Sequence, residues 1–498
     1  MQYQSTRDKT QKATASQAIL QGLSAEGGLF VPETLPALSA QQLEKMIDLP
    51  YVQRAQAILS DFLTDFTPEQ IAACVNKAYG PGKFSNDTIA PLAQLGQEAY
   101  LLELWHGPTC AFKDMALQLL PQLMTTAARQ TGFGKEIVIL VATSGDTGKA
   151  ALEGFCNVPG IRIVVFYPEE GVSPLQKLQM ATQEGENVFV AAIRGNFDDA
   201  QTGVKRLFTS PEVIGKLQRQ NRAFSSANSM NWGRLLPQIV YYVSAYCDLV
   251  RDEQIALGDP INVCVPTGNF GNILAAYYAK HMGLPIRKLI CASNQNNVLT
   301  DFIRTGVYEK NRPFYLTTSP SMDILISSNL ERLLFHLLEE DDRAVRDLMA
   351  QLQEKGRYTV SPEVLRRLQE EFDCGYCEEA QTAATIQRLF ETYSYLCDTH
   401  TAVAVSVYAQ YRARTGDDTK TVIASTANPF KFPHAVLSAL GQETSGLNEF
   451  QVAQKLEAVS GSQMPAQLAG LQGKPVRFRE SFSKDQMEDA LDYALQNV

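Results

Sequence analysis

From Tyr100 onward the chain repeats one local pattern, an apolar run followed by a helical run. Apolar runs at Tyr100–Leu104, Glu136–Ala142, Arg162–Tyr167 and Val188–Ile193 read as strands. Helical patterns follow at Asp114–Arg129, Asp146–Cys156, Pro174–Ala181 and Phe197–Leu207. A long helical pattern, Trp232–Arg251, leads to a further strand, loop and helix over Ile261–His281, then a strand at Thr421–Ala424 and a terminal helix at Lys484–Asn497. Strands that alternate with helices pair in parallel, because each helix carries the chain back across a sheet face. The expected body is α/β, with helices on both faces of parallel sheets.

Two of the connections are rich in glycine and small polar residues: Thr143-Ser144-Gly145-Asp146-Thr147-Gly148 and Pro266-Thr267-Gly268-Asn269-Phe270-Gly271-Asn272. A strand, a Gly loop and a helix N-terminus make an anion site, since free N–H groups and the helix dipole converge there. Neither is a dinucleotide or P-loop fingerprint: no G-x-G-x-x-G is present, and Ala150 stands where a P-loop needs Ser or Thr. Ahead of both lies His106-Gly107-Pro108-Thr109-Cys110-Ala111-Phe112-Lys113-Asp114, with one lysine among small and apolar residues as a helical pattern begins. Burial there would lower the lysine pKa and let it attack an aldehyde. The alternative is a solvated lysine paired to Asp114. A reactive lysine beside an anion loop suggests pyridoxal phosphate, a cofactor with both an aldehyde and a phosphate.

These stretches, with Ser226-Ala227-Asn228-Ser229-Met230-Asn231-Trp232-Gly233-Arg234, Ser425-Thr426-Ala427-Asn428-Pro429 and an N-terminal Gly22 to Pro32, resemble the motifs of threonine synthases, in that family's order. The resemblance implies a fold-type II pyridoxal-phosphate enzyme with two doubly wound α/β domains, the smaller inserted in the larger, plus an N-terminal α+β domain. The corresponding divisions are 1–92 for the N-terminal domain, 93–142 with 233–498 for the large domain, and 143–232 for the small one. It implies conversion of O-phospho-L-homoserine and water to L-threonine and phosphate by γ-elimination and β-addition, in a cytoplasmic monomer or homodimer.

The family's cofactor lysine falls on Lys113, its phosphate cradle on Gly268, Asn269, Phe270, Gly271 and Asn272, and its ring-nitrogen hydroxyl on Thr426. Asp146 stands near the ring hydroxyl, where relatives carry Asn or a similar side chain; it reads equally as an N-cap of the following helix. Ser144 and Thr147 are expected at the substrate carboxylate. Ser226, Asn228, Ser229, Asn231 and Arg234 are expected at the substrate phosphate, Arg234 through its planar fork. The competing reading makes Asn228 and Ser229 helix caps and Arg234 a surface ion pair. Asn428 and Phe430 replace the His and Ala frequent in relatives. His106 and His400 lie in motif-like stretches and are open to a structural reading. Rivals are a phospho-lyase releasing a 2-oxo acid, a serine or threonine dehydratase, and a binding protein with a vestigial pocket.

Residues 1–92 contain a helical pattern at Thr10–Leu23 and the capping signature Thr67-Pro68-Glu69-Gln70. The N-terminal residues lack the apolar core of a signal peptide, and the longest uncharged run, Pro260–Ala279, is interrupted by Pro266, Gly268 and Gly271, so no membrane span is expected. A net charge of -10 argues against a general nucleic-acid surface. Nine scattered cysteines read as reduced thiols; Cys374-Gly375-Tyr376-Cys377 lacks a second pair for zinc and leaves only a redox alternative. No metal is expected. Glu331–Lys355 reads as mainly helical, its charged run Glu339–Arg346 as a solvated face or a docking surface for a basic partner.

Overall fold

The computed structural model describes residues 1–143, 145–169 and 172–497. The first strand, Tyr3–Ser5, pairs antiparallel with Lys12–Ala13 and Phe30–Pro32. Lys12–Ala13 therefore takes the start of the stretch expected to be helical, and the helix is Ala15–Gln21, opened by a Thr14–Gln17 capping box. Pairing with the neighbouring strand Tyr3–Ser5 overrides local helical propensity here. Thr67 and Gln70 form the expected capping box, with Pro68 in the first turn of Pro68–Tyr79.

Two sheets carry the α/β body. One has six strands in the order Phe372–Tyr376, Ile286–Ser293, Ile261–Pro266, Thr421–Ser425, Ala99–Glu103, Leu92–Leu95. All pairs are parallel except the last, where Leu92–Leu95 runs antiparallel on the edge. The other is wholly parallel, in the order Ser481–Ser483, Val188–Arg194, Ile161–Pro168, Glu136–Ala142, Arg222–Ser225. Strand pairing thus puts Glu136–Ala142 and Ser481–Ser483 in the five-stranded sheet, whereas the sequence division grouped both with the larger unit. Neither strand carries a local mark of which sheet it joins.

The helix Trp232–Arg251 is buried along nearly its whole length, which suits a segment apolar on every face. The helix expected over Asp114–Arg129 is two helices, Asp114–Leu117 and Leu120–Gln130, because Pro121 has no N–H to continue the ladder. Leu330–Leu337 and Asp342–Lys355 are likewise separate. Glu339 and Glu340 take φ of 55° and 63° between them, and Asp341 caps the second helix, so the charged run is a turn plus a helix start.

Candidate active site

Lys113 follows a loop that leaves the carboxyl end of strand Ala99–Glu103, and it immediately precedes Asp114–Leu117. It is 8% exposed. Its Nζ donates to Ser321 Oγ at 3.2 Å and lies 3.8 Å from Asp146 Oδ2. Asp114 faces elsewhere: its carboxylate accepts from Thr109 N at 2.8 Å and Thr109 Oγ1 at 2.7 Å, and burial pushes its pKa up to about 6. The alternative of a solvated Lys113–Asp114 pair therefore fails. Burial pushes Lys113 down to about 8; Asp146 opposes this, while the charges of Lys431 and Arg234 add to it. A buried lysine near neutrality has a substantial fraction of free amine, the form that adds to a carbonyl.

Asp146 opens the helix Asp146–Phe155 without capping it through its side chain. Thr143 Oγ1 instead accepts from Gly145 N at 3.0 Å and Gly148 N at 2.9 Å. The Asp146 carboxylate accepts from Lys431 Nζ at 2.8 Å and Gln176 Nε2 at 2.9 Å. Burial alone would raise its pKa; the charges of Lys431 and Lys113 and the hydrogen bonds from Lys431 and Gln176 outweigh it together and hold the carboxylate well below its usual range. The capping reading of Asp146 is overturned. Gly145 has φ 149°, and a Cβ on it would lie 2.5 Å from the Gln176 side chain. Thr147 is half-buried in the first turn of this helix, and Ser144 lies outside the described residues.

The second Gly loop joins strand Ile261–Pro266 to helix Gly271–Met282. Phe270 turns the chain with φ 65°, and no side chain caps the helix start, so its first N–H groups are left for an anion. The loop is held from outside: Gly268 O accepts from Ser327 Oγ at 2.7 Å, and Asn269 O from Asn329 N at 3.1 Å and Nδ2 at 3.0 Å. A Cβ on Gly268 would lie 2.6 Å from Ser321 O. Asn269 is exposed. The Asn272 Oδ1 accepts from the Tyr241 and Tyr242 hydroxyls, while its Nδ2 is buried without a partner among the described residues, which leaves a side-chain donor free beside the backbone N–H groups.

Thr426 is buried, and its carbonyl accepts from Phe112 N at 2.8 Å, which ties it to the residue before Lys113. Its hydroxyl has no partner among the described residues. Arg234, in the first turn of Trp232–Arg251, is 4% exposed. Its Nη1 donates to Ala227 O at 3.1 Å, its Nε is buried without a partner, and it pairs with no carboxylate among the described residues. Burial pushes it down to about 10, and the surface-ion-pair reading is overturned. Asn231 is used up as a brace and cap: Oδ1 accepts from Gly233 N, and Nδ2 donates to Ile19 O and Ser226 O. The expected substrate contact from Asn231 therefore has no free polar atom. Ser226 Oγ accepts from Asn228 N at 3.2 Å, and Asn228 is half-buried. Ser229 Oγ lies 3.3 Å from Ser328 Oγ, beside the Asn269 clamp.

Three contributors were not assigned from sequence: Lys431, Gln176 and Ser321. Lys431 lies five residues after Thr426, just past the Ser425–Pro429 motif, and that proximity was its only local signal. Ser321 is presented by His400, whose Nε2 accepts from Ser321 N at 3.1 Å while Nδ1 faces Asp398 Oδ2 at 2.7 Å. Accepting at Nε2 puts the ring proton on Nδ1. His106 bonds Glu103 at 2.8 Å and Ser85 at 3.2 Å, apart from Lys113. All nine cysteines are free, and the described residues hold no group of three or more His, Cys, Asp or Glu suited to a metal. No helix among them is long and apolar enough to cross a membrane.

These residues fit pyridoxal phosphate: a buried amine for the aldehyde, an uncapped helix start for the phosphate, and an unpartnered hydroxyl on Thr426. Residues 2–79 match the family "Threonine synthase N terminus", 88–427 "Pyridoxal-phosphate dependent enzyme" and 401–489 "Threonine synthase, C-terminal". The threonine synthase of Pseudomonas aeruginosa is 37% identical over 447 residues, covering 89% of this chain and 91% of the relative. Human threonine synthase-like 1 is 42% identical over 446 residues, 87% of this chain, and the chain spans 59% of its length. The pyridoxal-phosphate-bound threonine synthase of Brucella melitensis superposes with TM-score 0.88 at 38% identity, covering 100% of this chain and 99% of that one. The chain belongs to the threonine synthase family of pyridoxal-phosphate-dependent enzymes.

Proposed function

We propose that this enzyme converts O-phospho-L-homoserine and water to L-threonine and phosphate. The observation that carries the reading is Arg234: a buried guanidinium with no carboxylate partner among the described residues, close enough to Lys113 for its charge to act there. With Lys113, Lys431 and Arg234 against Asp146, the pocket is rich in buried positive charge, an environment suited to ligands carrying phosphate. Pyridoxal phosphate, when bound, supplies the aldehyde that takes the substrate amine and an electron-withdrawing ring that acidifies the Cα–H.

The chain's own part is binding, orientation and proton movement. Gly268, Phe270, Gly271 and the backbone of Asn269 and Asn272 would hold the cofactor phosphate at the start of Gly271–Met282. Thr426 would offer its hydroxyl to the ring nitrogen. A neutral donor there would leave that nitrogen unprotonated and the ring a moderate electron acceptor. Asp146 would accept from the ring hydroxyl. Lys113 Nζ removes and returns protons at Cα and Cβ of the substrate. Arg234, aided by Ser226, Asn228 and Ser229, orients the substrate phosphate and stabilises its growing charge as it leaves. Thr147 and Ser144 take the substrate carboxylate.

Because likeness to a protein named only threonine synthase-like 1 leaves the specific reaction open, the second reading is a phospho-lyase that releases phosphate and a 2-oxo acid without adding water at Cβ. Product analysis separates the two. Incubation with O-phosphohomoserine is expected to yield threonine and phosphate in equal amounts. A 2-oxo acid equal to the phosphate would favour the lyase, and no change in the cofactor absorbance on adding substrate would reject both.

A further inference from the structure

The Asp146 carboxylate serves two ammonium groups. Lys431 Nζ is 2.8 Å from Oδ1, and Lys113 Nζ is 3.8 Å from Oδ2. The Lys431 side chain is fully enclosed, and its other contact is Thr109 O at 2.8 Å. It has no solvent to share its charge with. A lysine sealed in this way is unfavourable unless its one carboxylate stays ionised.

The two lysines differ in what they can do. Lys113 must pass between ammonium, free amine and a covalently engaged nitrogen, whereas Lys431 is locked between Asp146 and a backbone carbonyl. A buried Asp146 with Lys113 as its only cation would hold the proton on Lys113, and would be stranded whenever Lys113 lost its charge. Gln176 Nε2, at 2.9 Å, steadies the carboxylate without supplying charge.

We propose that Lys431 is a positioning residue, a permanent counter-cation that keeps Asp146 ionised and in place while Lys113 gives up its proton. The other charged groups acting on Lys113 are Arg234 and Asp114. Arg234 adds positive charge from the Trp232–Arg251 helix, and Asp114 is occupied by Thr109. The direction of the Lys113 perturbation agrees: after burial itself, Lys431 and Arg234 lower it against the pull of Asp146 and Asp114. The inference rests on Lys113 as the reactive lysine and is independent of which phosphorylated amino acid is the substrate.

The test reads Lys113 itself, without turnover. The full-length chain, stripped of cofactor, is labelled with trace acetic anhydride from about pH 6 to about pH 10, across the range in which a perturbed lysine titrates, and the Lys113 peptide is quantified by mass spectrometry. Lys431→Met is expected to raise the pH at which Lys113 titrates by about one pH unit or more, slowing its acetylation at neutral pH roughly tenfold. Lys431→Gln keeps a donor for Asp146 without the charge and is expected to match Lys431→Met; it carries the test if the Met variant fails to fold. Lys431→Arg, which retains the charge, is expected to restore the original titration. Circular dichroism confirms folding of each. A folded neutral variant whose Lys113 titrates unchanged or lower overturns the proposal, as does an Arg variant that shifts as far as Met. Neither result bears on the choice between the synthase and the lyase, which product analysis decides.

Discussion

Replacing Arg234 with methionine separates binding from structure, because the two roles predict opposite effects on stability. The guanidinium is buried, its Nε has no partner, and its pKa is pushed down to about 10 by burial alone. A fall of that size corresponds to roughly 3 kcal/mol of desolvation that no carboxylate among the described residues offsets. Methionine has similar volume and no charge. Its introduction removes that penalty but leaves Ala227 O without its donor, a loss of about 1–3 kcal/mol. The two nearly cancel, so thermal and denaturant unfolding of Arg234→Met should match or slightly exceed the unsubstituted enzyme. Catalysis should not survive so well. Two charge-assisted hydrogen bonds to a phosphate contribute about 3 kcal/mol or more, so kcat/KM for O-phosphohomoserine should fall roughly a hundredfold or further. The cofactor absorbance should be retained. A variant that unfolds several kcal/mol more easily yet keeps kcat/KM within a fewfold would make Arg234 a structural brace and refute the phosphate assignment.

The Lys113 amine, lowered to about 8, makes a prediction about pH. Below about pH 8 both folded and unfolded chains hold this proton and the fold bears the cost of the buried charge. Above it the folded chain releases the proton first, so stability of the cofactor-free chain should rise from about pH 8 into the ordinary lysine range, by up to roughly 3 kcal/mol; a flat profile in urea titrations, with Lys113→Met as reference, would contradict the burial argument. Gly145→Ala should cost about 2 kcal/mol and displace Gln176 from Asp146, since the new Cβ would lie 2.5 Å from Gln176 in a backbone conformation with φ 149°; an unchanged melting temperature would show that the loop relaxes freely. His400→Leu leaves Ser321 N without its acceptor and should raise KM and cost about 1–2 kcal/mol, with His400→Gln recovering most of the loss through its side-chain oxygen. Equal damage from both substitutions would argue that His400 acts by shape alone.

Local chemistry made much of this protein legible. Alternating apolar and helical runs specify parallel strands with helical crossovers, and Thr67, Pro68 and Gln70 announce a helix start through groups only a few residues apart. The Gly loops and the family motifs singled out Lys113, Arg234 and Thr426, because a nucleophile and anion-binding groups depend on residue type first. What sequence could not supply was partnership across distance. Asp146 reads as a cap until the fold brings Lys431 to 2.8 Å and Gln176 to 2.9 Å, and Asn231 reads as a ligand until Ile19 and Ser226 consume its donors. Ser321 meets Lys113 across 208 residues of chain. Strands Glu136–Ala142 and Ser481–Ser483 could each serve either sheet, and pairing alone assigns them. Backbone preferences and residue chemistry act over a few positions and are written locally. Burial, desolvation and the sharing of one carboxylate by two lysines arise only when distant segments exclude water together, and those were decided by the tertiary structure.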